Sequence, residues 1–131
     1  MSASTVLIID DDPLMREFVE EAMRRRGCVV DSAAAGREGL DLFVEKNHEV
    51  VISDLKMTPM DGLAVLREVR RQNNDAQVII MTGYATVETA VEALKNGAAD
   101  YLLKPFTPDA INVAVDRALE RTRLGRENVY L

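Results

Sequence analysis

Three consecutive carboxylates, Asp10-Asp11-Asp12, follow directly on the apolar run Val6-Leu7-Ile8-Ile9. Asp54, behind Ser53, follows the run Val50-Val51-Ile52; Thr82 follows Val78-Ile79-Ile80-Met81; Lys104 follows Tyr101-Leu102-Leu103. Carboxylates brought close together repel one another unless a cation sits among them. A small oxygen-lined cluster with open positions suits Mg²⁺, which keeps waters and takes one or two carboxylates plus a phosphate oxygen. A hydroxyl and an ammonium beside that cluster would bind an arriving anion. A carboxylate can also act as a nucleophile toward phosphorus, giving an aspartyl phosphate. In-line phosphoryl transfer needs mainly positioning and charge neutralisation. The chemistry open to this set is therefore Mg²⁺-dependent phosphoryl transfer to Asp54, with Thr82 and Lys104 on the transferred group.

Those residues meet only if the runs before them are strands whose ends share one edge. The pattern supports this. Short β-rich runs alternate with helical spacings: Leu14/Met15, Phe18/Val19 and Ala22/Met23 form one stripe, opened by Asp12-Pro13 and closed by Gly27. Cys28-Val29-Val30 reads as a second strand; Leu40, Phe43 and Val44 mark a second helix; Leu63, Leu66 and Val69 a third. Val87, Ala90, Val91 and Leu94 line a fourth helix that stops at Gly97, and Thr107-Pro108 caps a fifth carrying Ile111, Ala114, Val115, Ala118 and Leu119. Five strands alternating with five helices predict an α/β fold, a doubly wound five-stranded parallel sheet in the order 2-1-3-4-5 with helices on both faces (flavodoxin-like). Ligands of such sheets bind beyond the carboxyl ends of the strands, where these polar residues fall.

A chain of 131 residues has single-domain length and can bury a core without disulfides; its one cysteine, Cys28, permits no internal pair. The formal charge of −6 argues against direct nucleic-acid binding, and no apolar run reaches the length of a membrane helix. With no basic leader before the first apolar run, the expected location is the cytoplasm. Arg24-Arg25-Arg26 is read as complementing a helix dipole, His48 as lying in a solvated loop, and Cys28 as a small buried strand residue.

Taken together, Ile8-Ile9-Asp10-Asp11-Asp12, Ser53-Asp54-Leu55-Lys56-Met57, Met60-Asp61-Gly62, Met81-Thr82-Gly83 and Tyr101-Leu102-Leu103-Lys104-Pro105-Phe106 resemble the receiver domain of two-component response regulators. The resemblance covers roughly residues 4–120. It implies a CheY-like fold, with Asp54 as phospho-acceptor and Asp11 as a direct Mg²⁺ ligand. Asp10 or Asp12 would act through water, and Lys56 would give its backbone carbonyl to the metal. It further implies Thr82 as switch hydroxyl, Lys104 as phosphate-binding ammonium, Tyr101 as switch aromatic, and a cis Lys104-Pro105 bond. One departure stands out: the family places proline directly after the methionine at 57, whereas here Thr58 intervenes before Pro59. The wording around Asp54 and Lys104 is similar to the NtrC-like branch, whose members carry an AAA+ ATPase acting on sigma-54 polymerase and a DNA-binding domain.

On that resemblance, residues 1–120 form the receiver, and 121–131 form a C-terminal extension or the start of a linker to an output domain absent from this chain. The phosphodonor would be a sensor histidine kinase or a small phosphodonor, the output transcription regulation, and the switching surface the face made by helix 4, strand 5 and helix 5. A homodimer through helices 4 and 5 is an open alternative. Two competing functions differ in class. A metal-dependent aspartyl phosphatase would normally show Asp-x-Asp at its nucleophile, but Leu55 and Lys56 follow Asp54. A degenerate receiver that binds partners without phosphorylation would lack part of the acidic set, Thr82 or Lys104, all of which are present. Lys56 and Tyr84 are expected at the mouth of the pocket, where they would tune the lifetime of the aspartyl phosphate.

Overall fold

The structure is a computed structural model; it describes the backbone of residues 3–130 and the side chains of residues 3–125. Met1 and Ser2, which open the stretch searched for a leader, and Leu131, which ends the linker reading, lie outside the described residues. The elements alternate strictly: β1 (Thr5–Ile9), α1 (Pro13–Arg25), β2 (Val29–Ala33), α2 (Gly36–Lys46), β3 (Val50–Asp54), α3 (Gly62–Gln72), β4 (Gln77–Thr82), α4 (Val87–Lys95), β5 (Asp100–Leu103) and α5 (Pro108–Tyr130). All five strands pair in parallel in the order β2-β1-β3-β4-β5, as expected.

The β-branched runs explain the centre. Side chains alternate across a strand, so Leu7 and Ile9 join Val51, Val78 and Ile80 on one face. Val6, Ile8, Ile52, Ile79 and Met81 fill the other. The first face is covered by α2 and α3 through Leu40, Phe43, Val65, Leu66 and Val69. The second is covered by α1 and α5 through Val19, Met23, Ile111, Ala114 and Val115. Burial of a large aliphatic side chain stabilises by about 1.5–3 kcal/mol, so these two layers hold the sheet. Gly39 permits a close approach: a Cβ there would lie 2.3 Å from Ile9 Cδ1, so α2 sits directly on β1.

Three sequence expectations need correction. β2 begins at Val29, after Cys28, and runs to Ala33, taking in Asp31 and Ser32. As an edge strand it tolerates polar residues, and Cys28 is only half-buried. The stripe on α4 does not face the core. Val87 is 77% exposed and Leu94 57% exposed, and the helix instead packs through Ala93. A short helix held by one small residue leaves its larger apolar side chains outward. His48 is 1% exposed rather than solvated, because its ring stacks on Phe43 and its Nε2 lies 2.7 Å from Asp31 Oδ2. The helix α5 runs from Pro108 through Gly125 to Tyr130, into the stretch read as an extension or the start of a linker.

The basic run at the end of α1 does more than complement a dipole. Arg26 crosses to α5, donating from Nη1 to the Asn112 carbonyl at 3.2 Å and pairing with Asp116 at 2.7 Å.

Candidate functional site

Parallel strands all deliver their carboxyl ends to one edge, and the register brings the polar residues level there. Ile9 pairs with Ser53, and Asp54 with Met81, so Asp10 and Asp54 leave adjacent strands one step beyond the last buried rungs. The carboxylates of Asp10, Asp11 and Asp54 offer oxygens that all lie within 4.8 Å of one another. Asp10 and Asp54 are buried; Asp11 is exposed at the surface of the cluster. Lys104 reaches in from the end of β5, with Nζ 2.9 Å from Asp10 Oδ2 and 3.2 Å from Asp54 Oδ1. Its own backbone N–H donates to the Thr82 carbonyl at 2.8 Å, tying the end of β5 to β4.

Asp12 stands apart. It caps α1, its carboxylate accepting from the Leu14 N–H at 3.0 Å. Thr82 is fully buried at the end of β4, and its Oγ1 accepts from the Tyr84 N–H at 3.0 Å. Lys56 is exposed two residues after Asp54 and lines a cleft of about 360 Å³ together with Asp11, Met57, Thr58, Asp61 and Thr89. Tyr84 is 71% exposed on the neighbouring loop. Tyr101 lies half-buried in β5 with its hydroxyl 2.6 Å from Thr89 Oγ1. The Lys104-Pro105 peptide is cis, and so is Thr58-Pro59, where the sequence departs from the family pattern.

The loop after Asp54 is held close. Gly62 N–H donates to the Leu55 carbonyl at 2.9 Å, and a Cβ on Gly62 would fall 2.3 Å from the Asp54 carbonyl oxygen. Only glycine lets the start of α3 sit there. Asp61 completes the turn by capping α3 through the Ala64 N–H at 2.9 Å.

The electrostatics follow from this crowding. Burial pushes the Asp54 carboxyl up, the Asp10 charge pushes it further, and the Lys104 ammonium only partly offsets both. Burial alone would lower Lys104, but its hydrogen bonds and charge interactions with Asp10 and Asp54 outweigh that and leave its ammonium raised above its ordinary value. Three carboxylates with one ammonium retain an excess of negative charge. Hard oxygen donors with one exposed corner are the arrangement a small divalent cation requires.

Two residues that touch this site escaped sequence reasoning. Arg16 donates to the Asp10 carbonyl at 2.8 Å, and Thr89 holds the Tyr101 hydroxyl. Neither bond has a signal in local spacing, since each joins side chains from separate elements or reaches back over a loop.

Comparison with known proteins places the geometry in context. The family model for the response regulator receiver domain matches residues 6–116. This chain belongs to the response regulator receiver family. Among curated relatives of the receiver, the regulatory protein AtoC of Escherichia coli K12 is 42% identical over 126 residues, covering 96% of this chain and 27% of AtoC. A putative NtrX-like response regulator of Rickettsia bellii is 38% identical, covering 100% of this chain and 28% of that protein. The receiver thus spans under a third of the curated relatives it matches. Among solved structures, a receiver domain protein from Clostridium thermocellum superposes with a TM-score of 0.87 at 33% identity, covering 92% of this chain and 98% of that one. NtrX from Brucella abortus superposes at 0.91 and 30% identity, covering 98% of this chain and 29% of that one. NtrX proteins appear in both comparisons, in keeping with the NtrC-like wording of the motifs. Among the described residues, no helix is long and apolar enough to cross a membrane.

Proposed function

We propose that Asp54 is the phospho-acceptor of this receiver domain, with Mg²⁺ held by the neighbouring carboxylates. The observation that carries the reading is Lys104 Nζ spanning Asp10 and Asp54 while Asp11 keeps its carboxylate within 4.8 Å of both. Asp11 and Asp54 would hold the metal directly, the Lys56 carbonyl would complete the protein's share, and Asp10 would act through water. Asp12, occupied in capping α1, is the weaker candidate for that last role. When bound, Mg²⁺ offsets the carboxylate charge and the charge on the phosphoryl oxygens.

An Asp54 carboxylate oxygen attacks phosphorus in line. The bond from phosphorus to the phosphohistidine nitrogen, or to the oxygen of a small phosphodonor, breaks and its electron pair leaves with the donor. Lys104 then exchanges part of its contact with Asp54 for a phosphoryl oxygen, and Thr82 turns its hydroxyl toward another. Tyr101 moves into the space Thr82 leaves. Shifting a population from 1:99 to 99:1 takes about 5.5 kcal/mol. Charge-assisted hydrogen bonds worth about 1.5–3 kcal/mol each reach that total with a few contacts.

The output surface is the α4–β5–α5 face. Val87, Val91 and Leu94 on α4, Leu103 on β5 and Val113 on α5 are exposed apolar residues, which supports a role in contacting an output domain or a second copy of the chain. The partners in this reading are a sensor histidine kinase and an output domain joined after the receiver of residues 1–120 through the stretch 121–131; the receiver itself would act in the cytoplasm. In the NtrC-like branch that output comprises AAA+ and DNA-binding domains, so the process served is transcription regulation.

Incubation with acetyl phosphate and Mg²⁺, read by intact mass, tests the assignment. Wild-type protein should gain one acid-stable, base-labile phosphoryl group, and Asp54→Ala none. An Asp54→Ala protein labelled like wild type would overturn it.

A further inference from the structure

Arg16 lies in the first turn of α1, outside every motif that pointed to the site. Its guanidinium reaches back over the loop, and Nη1 donates to the Asp10 carbonyl at 2.8 Å. That bond completes the hydrogen bonding of Asp10. The Asp10 N–H donates to the Ala33 carbonyl at 3.1 Å, and its carboxylate accepts from the Asp12 N–H at 2.9 Å and from Lys104 Nζ at 2.9 Å. Asp10 is fully buried, so a carbonyl stripped of its donor would carry a desolvation penalty or draw the loop out toward water. Arg16 is itself steered by Glu20, with Nε 3.9 Å from the carboxylate one turn on.

We propose that Arg16 is a positioning residue for the acidic cluster. By pinning the Asp10 carbonyl from α1 it fixes the loop that carries Asp10 and Asp11, and so sets how well their carboxylates converge with Asp54 on a divalent cation. The inference rests on the reading of this cluster as the cation and phosphoryl site. Groups behind first ligands act in this way in metal sites generally, and losing one costs about 10- to 100-fold in metal affinity.

The sign of the effect separates positioning from charge. Arg16 brings a positive charge near a cation site. If that charge were all it contributed, removing it would tighten Mg²⁺ binding, because the cluster would become more negative. Positioning predicts weaker binding from the same change. A lysine keeps the charge but lacks the planar fork that reaches the carbonyl. On a charge account Arg16→Lys matches wild type; on a positioning account it is impaired like Arg16→Met.

The test titrates Mg²⁺ into wild type, Arg16→Met, Arg16→Lys and Asp54→Asn by calorimetry, and follows amide exchange in chelator. We expect both Arg16 variants to bind Mg²⁺ about tenfold more weakly than wild type. In chelator, the Asp12 amide should exchange faster in Arg16→Met, while amides in the middle of β3 keep their protection. That local loosening, without metal, is a signal a general loss of stability would not produce. Should Arg16→Met fail to fold, Arg16→Lys carries the same comparison. Mg²⁺ affinity equal to or tighter than wild type in Arg16→Lys, with Asp12 protection unchanged, overturns the proposal. A wild-type protein that labels on Asp54 beside unaffected Arg16 variants overturns this inference alone; a wild type that takes no phosphoryl group overturns the acceptor reading instead.

Discussion

The Tyr101 hydroxyl lies 2.6 Å from Thr89 Oγ1, joining β5 to the first turn of α4. Thr89 also closes the helix cap with Thr86, whose N–H donates to Thr89 Oγ1 at 3.1 Å and whose Oγ1 accepts from the Thr89 N–H at 3.1 Å. Because α4 buries only Ala93, this polar contact is a principal tie between its N-terminal turn and the sheet. A double-mutant cycle with Thr89→Val and Tyr101→Phe should give a coupling energy of about 1 kcal/mol by denaturant unfolding. Strictly additive effects would show that the contact adds no stability.

Thr82→Ala separates phosphorylation from response. The buried hydroxyl accepts from the Tyr84 N–H, and its loss should leave the fold intact, at a cost of about 1 kcal/mol. Labelling by acetyl phosphate should persist, while chemical shifts on α4 and β5 move less on addition of beryllofluoride than in wild type. A full wild-type shift pattern would remove Thr82 from the switch.

Asp54→Asn should stabilise the metal-free protein at neutral pH. A carboxyl whose folded value is raised binds protons more readily in the folded state, so stability falls as pH climbs from the ordinary carboxylate value through the raised one. Above the raised value the whole penalty is present, and the amide removes it. The melting temperature should rise by on the order of a few degrees, and the gap should close as pH drops below the ordinary carboxylate range. Thermal melts in chelator across that range would check it; a variant that melts below wild type at every pH would contradict it.

Asp31 behaves with the opposite sign. The hydrogen bond from His48 lowers its carboxyl; burial opposes this, and the Lys46 bond adds to the lowering. A depressed folded value contributes stability above the ordinary carboxylate range, and that stability is lost as pH falls through the depressed value. Asp31→Ala also leaves the buried His48 Nε2 without its partner, a cost of about 1–3 kcal/mol. Urea melts from neutral to acid pH should show the deficit narrowing as pH falls; a deficit independent of pH would contradict the assignment.

Lys56→Ala and Tyr84→Ala should each change the rate at which the labelled protein loses phosphate, by several-fold, while leaving the melting temperature nearly unchanged. Both side chains are exposed on the loops that follow Asp54 and Thr82, where they can screen an attacking water. Identical decay curves for all three proteins would end this idea.

The sheet and its order were legible because each strand is a compact apolar run and each run ends in a polar residue that the parallel register then aligns. The convergence of Asp10, Asp11, Asp54 and Lys104 followed from that rule. Other features depended on packing that no local pattern carries. The spacing of Val87, Val91 and Leu94 marks a helix face but not which way it turns, and Ala93, a single small residue, decides it. His48 reads as a loop residue until Asp31 and Phe43 enclose it from other elements. Arg16 shows its role only once the chain folds back over Asp10.

That uninterrupted α5 works as a graduated screw. Each residue along a helix advances about 1.5 Å and turns about 100°. Anything fastened beyond Tyr130 without a bend would therefore have its bearing relative to the acidic edge set by residue count as much as by residue identity. Removing one residue from the exposed stretch would swing such cargo by roughly a quarter turn, whereas excising two full turns, about seven residues, would nearly restore its heading at a shorter reach.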